Sequence, residues 1–301
     1  MKNKHYFRII IFLITGVIFN SCYEDYIFDY KYSTVYFAMD KPYRTVIADR
    51  DMELRIGVSI GGKRNVDMND WAEFKIDTLG LPAGKLLMPE NYFTLTDANT
   101  MRVSKANLPV ADVGIKFTDD FFADPASITG KYVLPLKIVN SSLDTITRES
   151  TVVCFKYIST FHGSYYVKGK LYELDAPNGN VVDSALYEDK DLVKNIVRDL
   201  STLDRYTLIR PGLADFTVTG SEKVKLTVTM NDSKDKIYDT AVETATGGTA
   251  ITNGSGTYYG NEENPKFVLK YDFAKGGKEY RVNETLILRQ DPLYDLRVES
   301  W

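Results

Sequence analysis

Polar and apolar positions along this chain alternate far more often than they recur at helical spacing. Glu53 to Ile60 reads polar, apolar, polar, apolar, the period of a strand with one buried face. Trp71 to Ile76 repeats the pattern. Thr34–Phe37, Tyr92–Leu95, Met101–Val103, Val113–Phe117, Tyr132–Val139 and Thr151–Ile158 are further short runs rich in β-branched and aromatic residues. Pro135 cannot donate to a ladder, so its strand is expected at an edge or with a bulge. These strands, with turn signals between them, predict a β-sandwich over residues 33–159.

From Thr160 the strands resume: a segment from Phe161 to Val167, then Tyr206–Ile209, Phe216–Thr219, Val224–Met230, Gly256–Tyr259, Phe267–Phe273 and Tyr280–Arg289. Asn231-Asp232 and Gly276-Gly277 are expected as hairpin turns. Leu192, Val193, Ile196, Val197 and Leu200 recur at three- and four-residue steps and predict one short helix. The long strands on either side of Gly276-Gly277 suit an up-and-down antiparallel barrel over residues 160–301. The expected fold is all-β, a sandwich followed by a calycin-like barrel.

The first 22 residues break this pattern. Lys2, Lys4 and Arg8 precede an apolar run from Ile9 to Phe19, and Ser21 stands before Cys22. The run is shorter than the roughly 20 residues that span a bilayer and fits an export signal over residues 1–21. Ser21-Cys22 reads as a lipidation junction, with Phe19 and Asn20 departing from its usual small residues. Residues 22–32 then form a tether, and the membrane is met only through the lipid on Cys22.

Composition narrows function more than it names it. Loss of the leader leaves 34 basic against 41 acidic residues, a balance unsuited to nucleic acid, whose binding requires basic patches. After cleavage, with Cys22 taken by the lipid, the folded part holds one cysteine, Cys154, and one histidine, His162, too few for a structural zinc site. Neither a metal nor a cofactor is expected. Cys154 sits in an apolar strand and is expected to be buried. Asp119-Asp120, Glu188-Asp189 and Glu262-Glu263 are adjacent carboxylates. In a strand adjacent side chains point to opposite faces, which does not suit the facing acids of a glycosidase. No catalytic residues are assigned. Asp119, Asp120 and Asp124 could form a calcium loop, but a solvated acidic turn is the simpler reading.

Aromatics supply the remaining chemistry. The chain has 21 Tyr and 15 Phe. Sugars stack their apolar faces on such rings, and Trp71, Tyr165, Tyr166, Tyr258, Tyr259 and Trp301 are the candidate carbohydrate-binding residues. One tyrosine of each adjacent pair is expected in the core.

Leu87–Leu95 and Tyr132–Ile138 resemble stretches of an uncharacterised Ig-like N-terminal domain found in Bacteroides polysaccharide-utilisation lipoproteins and before some family 18 glycoside hydrolases. Gly254–Tyr258, Tyr280–Leu286 and Asp291–Arg297 resemble the lipocalin-like domain that often follows it. The resemblance implies display on the outer membrane and a non-catalytic part in glycan capture beside an outer-membrane transporter complex. Glu24-Asp25 after the cysteine is similar to the surface-export signal of such lipoproteins. Thr78, Thr145, Ser184 and Thr240 each follow an aspartate, as O-glycosylation acceptors of Bacteroides-type exported proteins do. A structural or adhesion role, a glycosidase, and a barrel enclosing a small apolar ligand are the alternatives.

Overall fold

The computed structural model describes residues 31–300 except 51, 176–178, 219, 221, 233, 295, 297 and 298. The leader, Cys22 and Trp301 lie outside the described residues. The first half supplies β1 Thr34–Tyr36, β2 Pro42–Ile47, β3 Glu53–Gly61, β4 Trp71–Ile76, β5 Leu86–Leu87, β6 Phe93–Leu95, β7 Thr100–Val103, β8 Val110–Phe117, β9 Tyr132–Ser141, β10 Thr145–Ile146 and β11 Ser150–Ile158. The second half supplies β12 Gly163–Leu174, β13 Val181–Tyr187, β14 Ile196–Thr202, β15 Thr207–Pro211, β16 Lys223–Thr229, β17 Ile237–Thr244, β18 Ile251–Tyr259, β19 Lys266–Lys275 and β20 Lys278–Leu288, and β21 Glu299–Ser300 follows.

β1 to β11 form one sheet in the order β10-β1-β3-β8-β7-β4-β9-β11-β2, with β5 on β9 and β6 on β8, and β21 returns to pair with β2. The sheet curls, sandwich-like, around a single core. Because β1 and β2 stand near opposite ends of the strand order, the curl leaves a seam between the β2 and β3 flanks. Helix α1, Asp119–Ala123, drops Phe121 and Phe122 into this core. There Phe117, Phe121 and Phe155 make close ring contacts, and the Tyr157 hydroxyl donates to the Phe122 carbonyl at 3.0 Å.

Pro135 meets the bulge half of its expectation, with Val139 the extra residue between the Glu73–Asn140 and Phe74–Ile138 pairs, and not the edge half. Its strand β9 lies inside the sheet, between β4 and β11. Ile138 N–H donates to Glu149 on the β11 side, so by alternation the nitrogen of Pro135 points the other way. On that side β4 has ended opposite Leu136, and the nearest β5 pairing is Leu87 with Val133. The missing donor falls in that gap, where no ladder bond is lost.

In the second half β12-β14-β15-β16-β17-β18-β19-β20 close into an eight-stranded antiparallel barrel through the β12–β20 pairing. β14 pairs with the first part of β12 and β13 with the rest. Gly276 and Gly277 make the two-residue β19–β20 turn, both at positive φ (61° and 77°), between paired Lys275 and Lys278. That is the backbone a type I′ hairpin requires. Alternate strand residues fill the lumen. Tyr165, Val167, Leu208, Leu226, Phe267, Tyr271, Val282 and Leu286 are all at most 1% exposed.

The predicted helix at Leu192–Leu200 is absent. A three-residue 3-10 turn, Leu192–Lys194, leads into strand β14. The Asn195 carboxamide donates to the carbonyls of Asp189, Asp191 and Leu192 and ends the turn. From Ile196 exposure alternates, with Leu200 fully buried. Of the expected strand Phe216–Thr219, residues 216–218 are not strand and Thr219 lies outside the described residues; Leu213 and Ala214 pack in the barrel core and Phe216 lies against Phe273 and Tyr280. β13 and β17 are strands that the sequence reading did not assign.

A candidate ligand groove where the barrel meets the first sheet

Residues 159–162 join the two cores and are fastened to the barrel. Ser159 N–H donates to Thr202 Oγ1 at 2.9 Å, and Ser159 Oγ donates to the Arg205 carbonyl at 2.8 Å. Tyr165 donates its hydroxyl to the Phe161 carbonyl at 2.8 Å. Thr202 N–H donates to His162 Nδ1 at 3.3 Å, which makes Nδ1 the acceptor and leaves the ring proton on Nε2.

Arg205 clamps the halves together. Its Nε lies 3.1 Å from both carboxylate oxygens of Asp49, in the β2–β3 turn, and its Nη1 lies 2.8 Å from Asp119 at the start of α1. The guanidinium is flanked by the rings of Phe122 and Tyr206, at 5.2 and 5.4 Å. The hydrogen bonds to Asp49, outweighing burial, hold its pKa above the usual range. Arg50 adds a second tie to Asp291 at 2.6 Å.

Between these contacts lies a groove of about 330 Å³. Tyr238 and Tyr258, each 8% exposed, edge its floor above the buried Phe161, Met230 and Pro265 extend the apolar wall, and Asp49, Arg50, Lys236 and Asp291 supply charge. β17 and β18 place Tyr238 directly opposite Tyr258. Their rings are parallel within 3°, with centroids 6.2 Å apart. Phe161 meets Tyr258 edge-on at 4.8 Å. Burial, and then Tyr238, push the Tyr258 hydroxyl up to about 12, so it stays protonated at neutral pH and can donate a hydrogen bond. Gly260, against Tyr258, marks the end of β18; a Cβ there would stand 2.8 Å from the Tyr258 ring.

A second hollow of about 390 Å³ on the other side of the junction contains Lys156, His162, Ser164 and Asp199. Ser164 is bonded to Asp199, while His162 Nδ1 faces Thr202. The three are therefore not connected as an acyl-transfer triad. Burial lowers the His162 pKa. The native state thus resists a proton that the unfolded chain accepts near pH 6.5. Stability present above pH 6.5 is expected to fall as pH drops through that value toward the lower native pKa. His162→Gln should flatten urea-denaturation stability between pH 7 and 5; an unchanged pH dependence would exclude His162 as its source.

Inside the barrel, away from the groove, Arg210 and Glu284 form an ion pair with both side chains wholly buried. Arg210 also donates to the Gly212 carbonyl and to Tyr271 Oη, and Tyr187 donates to Glu284 at 3.0 Å. Burial opposes the charge on Arg210, but Glu284 and the two tyrosines more than offset it and hold its pKa above the usual range.

The six aromatic candidates do not share one surface. Tyr258 lines the groove. Tyr165 is 1% exposed and offers no ring face to a sugar. Tyr166 and Tyr259 are half-buried beside Arg289 and Lys266, respectively. Trp71 begins β4 in the first sheet, where its N–H donates to Ser142. Tyr238 and Phe161 are the groove residues the sequence reading missed; period-two placement of Tyr238 opposite Tyr258 needed β17 to be recognised. Of the glycosylation candidates, Thr78, Thr145 and Ser184 are exposed. Thr240 is 3% exposed inside the barrel, which removes it as an acceptor in the folded chain. Asp119, Asp120 and Asp124 are separately engaged, by Arg205, by Asn91, and by Tyr92 with Tyr132. Among the described residues, no three His, Cys, Asp or Glu side chains are grouped to hold a metal. Cys154 is fully buried, with its thiol donating to the Gly130 carbonyl.

A family model described only as a "-like, N-terminal domain" matches residues 28–145. No curated protein matches the chain. A Bacteroides ovatus protein of unknown function, solved by structural genomics, is similar to it at 21% identity and a TM-score of 0.69, covering 90% of this chain and 99% of that one. A multidomain B. ovatus protein including DUF1735 covers 90% of this chain and 100% of its own at 14% identity and a TM-score of 0.36. The first of these shares the fold.

Proposed function

We propose that this chain is a surface lipoprotein of a Bacteroides-type polysaccharide-utilisation system that holds a glycan without cleaving it. The junction groove carries this reading. A concave site with an apolar aromatic floor and a few convergent polar groups is the usual form of a small-ligand site. Here the edges of Tyr238 and Tyr258 with Met230 and Pro265 suit the CH face of a sugar ring, while Lys236, Asp49 and the Tyr258 hydroxyl suit its oxygens. The Ser21-Cys22 junction after an apolar export segment supports anchoring outside the cytoplasm, with the glycan passed to an outer-membrane transporter.

A glycan array probed with residues 23–301 tests the binding claim. The expected outcome is a hit whose affinity falls about tenfold or more in Tyr238→Ala or Tyr258→Ala, the scale of an anchoring aromatic. No hit across plant and host polysaccharides would end the glycan reading. Cys22→Ala should abolish labelling by radioactive palmitate in cells; persistent labelling would end the anchor claim. One observation favours a structural or adhesion role instead. Among the described residues β13 leaves an edge unpaired, and Val181, Val182 and Leu186 on it are 54%, 59% and 63% exposed, a surface open to another strand.

A further inference from the structure

We propose that the seam of the first sheet is a second binding site, for a small amphiphilic carboxylate whose apolar body enters the seam and whose head group meets Arg44. The site is separate from the junction groove and does not depend on the glycan reading.

The seam holds a slot of about 220 Å³, walled by Phe37, Met39, Pro42, Ile56, Leu136 and Val153. These residues come from β2, β3, β9, β11 and the segment after β1, so the slot lies where the curled sheet fails to close on itself. Three side chains on its wall carry strong polar groups. The Thr151 hydroxyl is committed to the carbonyls of Met39 and Asp40. Arg55 is neutralised by Asp112 at 2.5 Å, and the hydrogen bond it donates to that carboxylate raises its pKa. Arg44 is different. It spans the seam with one hydrogen bond, from Nη2 to the Arg55 carbonyl at 3.0 Å. Among the described residues it has no carboxylate partner.

A half-buried guanidinium with only a neutral acceptor is poorly compensated. Burial lowers the Arg44 pKa, with no nearby acid to oppose it. Among the described residues its Nε and Nη1 make no hydrogen bond, and Nη2, which gives one hydrogen to the Arg55 carbonyl, keeps the other beside one of them, so one two-donor edge of the planar fork is left for a carboxylate. An apolar slot beside an uncompensated cation selects an apolar acid over an alcohol or an amine of the same length. A molecule of octanoate size fits the slot in chemistry and scale.

Isothermal titration of the mature full-length chain with octanoate, 1-octanol and octylammonium tests the site. Octanoate is expected to bind once per chain, more tightly than 1-octanol, with octylammonium weakest. Arg44→Met keeps the apolar stem and should weaken octanoate at least tenfold while leaving 1-octanol unchanged. Ala38→Phe, which fills the slot from its rim, should remove both ligands, with the folded state of each variant checked by thermal melting. Equal binding of octanoate and octylammonium, an Arg44→Met variant with unaltered octanoate affinity, or no octanoate binding at millimolar concentration would each overturn the proposal.

Discussion

Glu284→Leu is expected to destabilise the protein by about 3–5 kcal/mol, the cost of leaving one member of a buried ion pair uncompensated. Arg210 is the largest fully buried side chain among the described residues and Glu284 is 2% exposed. Without the carboxylate, Arg210 keeps the Gly212 carbonyl and the Tyr271 hydroxyl as acceptors, and neither carries a charge. The cost should therefore reside in the orphaned guanidinium rather than in lost packing. A double variant, Arg210→Met with Glu284→Leu, replaces the pair by apolar groups and should regain at least half of the loss. Urea denaturation of the wild type, both single variants and the double variant measures this coupling. A double variant as unstable as Glu284→Leu alone would show that the charge balance is not what matters.

The second large effect is expected at the junction. Phe161→Ala should cost about 3–5 kcal/mol, as truncation of a buried aromatic does. Its ring is 1% exposed and touches Tyr238, Tyr258 and Phe267. It is also the first core residue the chain lays down after leaving the first sheet, and its carbonyl receives the Tyr165 hydroxyl. Removal of the ring opens a void beneath both groove tyrosines. Loss of stability in thermal unfolding should therefore come with a change in any glycan affinity of the groove. Phe161→Leu, which refills most of the volume, should recover more than half of the stability. A Phe161→Ala protein within about 1 kcal/mol of wild type would contradict this packing account.

Much of the fold was legible because strand periodicity is local. Glu53–Ile60 and Trp71–Ile76 alternate in sequence and fold as β3 and β4, and the two glycines at 276–277 turn as their conformational freedom allows. The Leu192–Leu200 segment shows where local reading fails. Its apolar spacing suits either period, and the hydrogen bonds of Asn195 with the pairing to β12 settle it as turn and strand. Pro135 is legible only in part, since its strand carries the expected bulge but the gap between two partner strands that admits it to the sheet interior cannot be read from one strand. The groove was the least legible feature. Tyr258 was named from its residue type, but Tyr238 and Phe161 meet it only through cross-strand register and a linker. Arg210 and Glu284 are 74 residues apart, and nothing in either neighbourhood announces that they meet inside the barrel.

The packed lumen has a consequence for how this architecture can diversify. A barrel filled by its own tyrosines and phenylalanines works as a solid post rather than a vessel. Changes inside it register as altered folding, because each ring is hemmed in by others. Recognition can be rewritten cheaply only at the rims and connecting loops, where insertions are tolerated. Relatives built on the same plan are therefore expected to keep the post and vary its ends, and sequence divergence should concentrate in the turns around residues 49, 236 and 260.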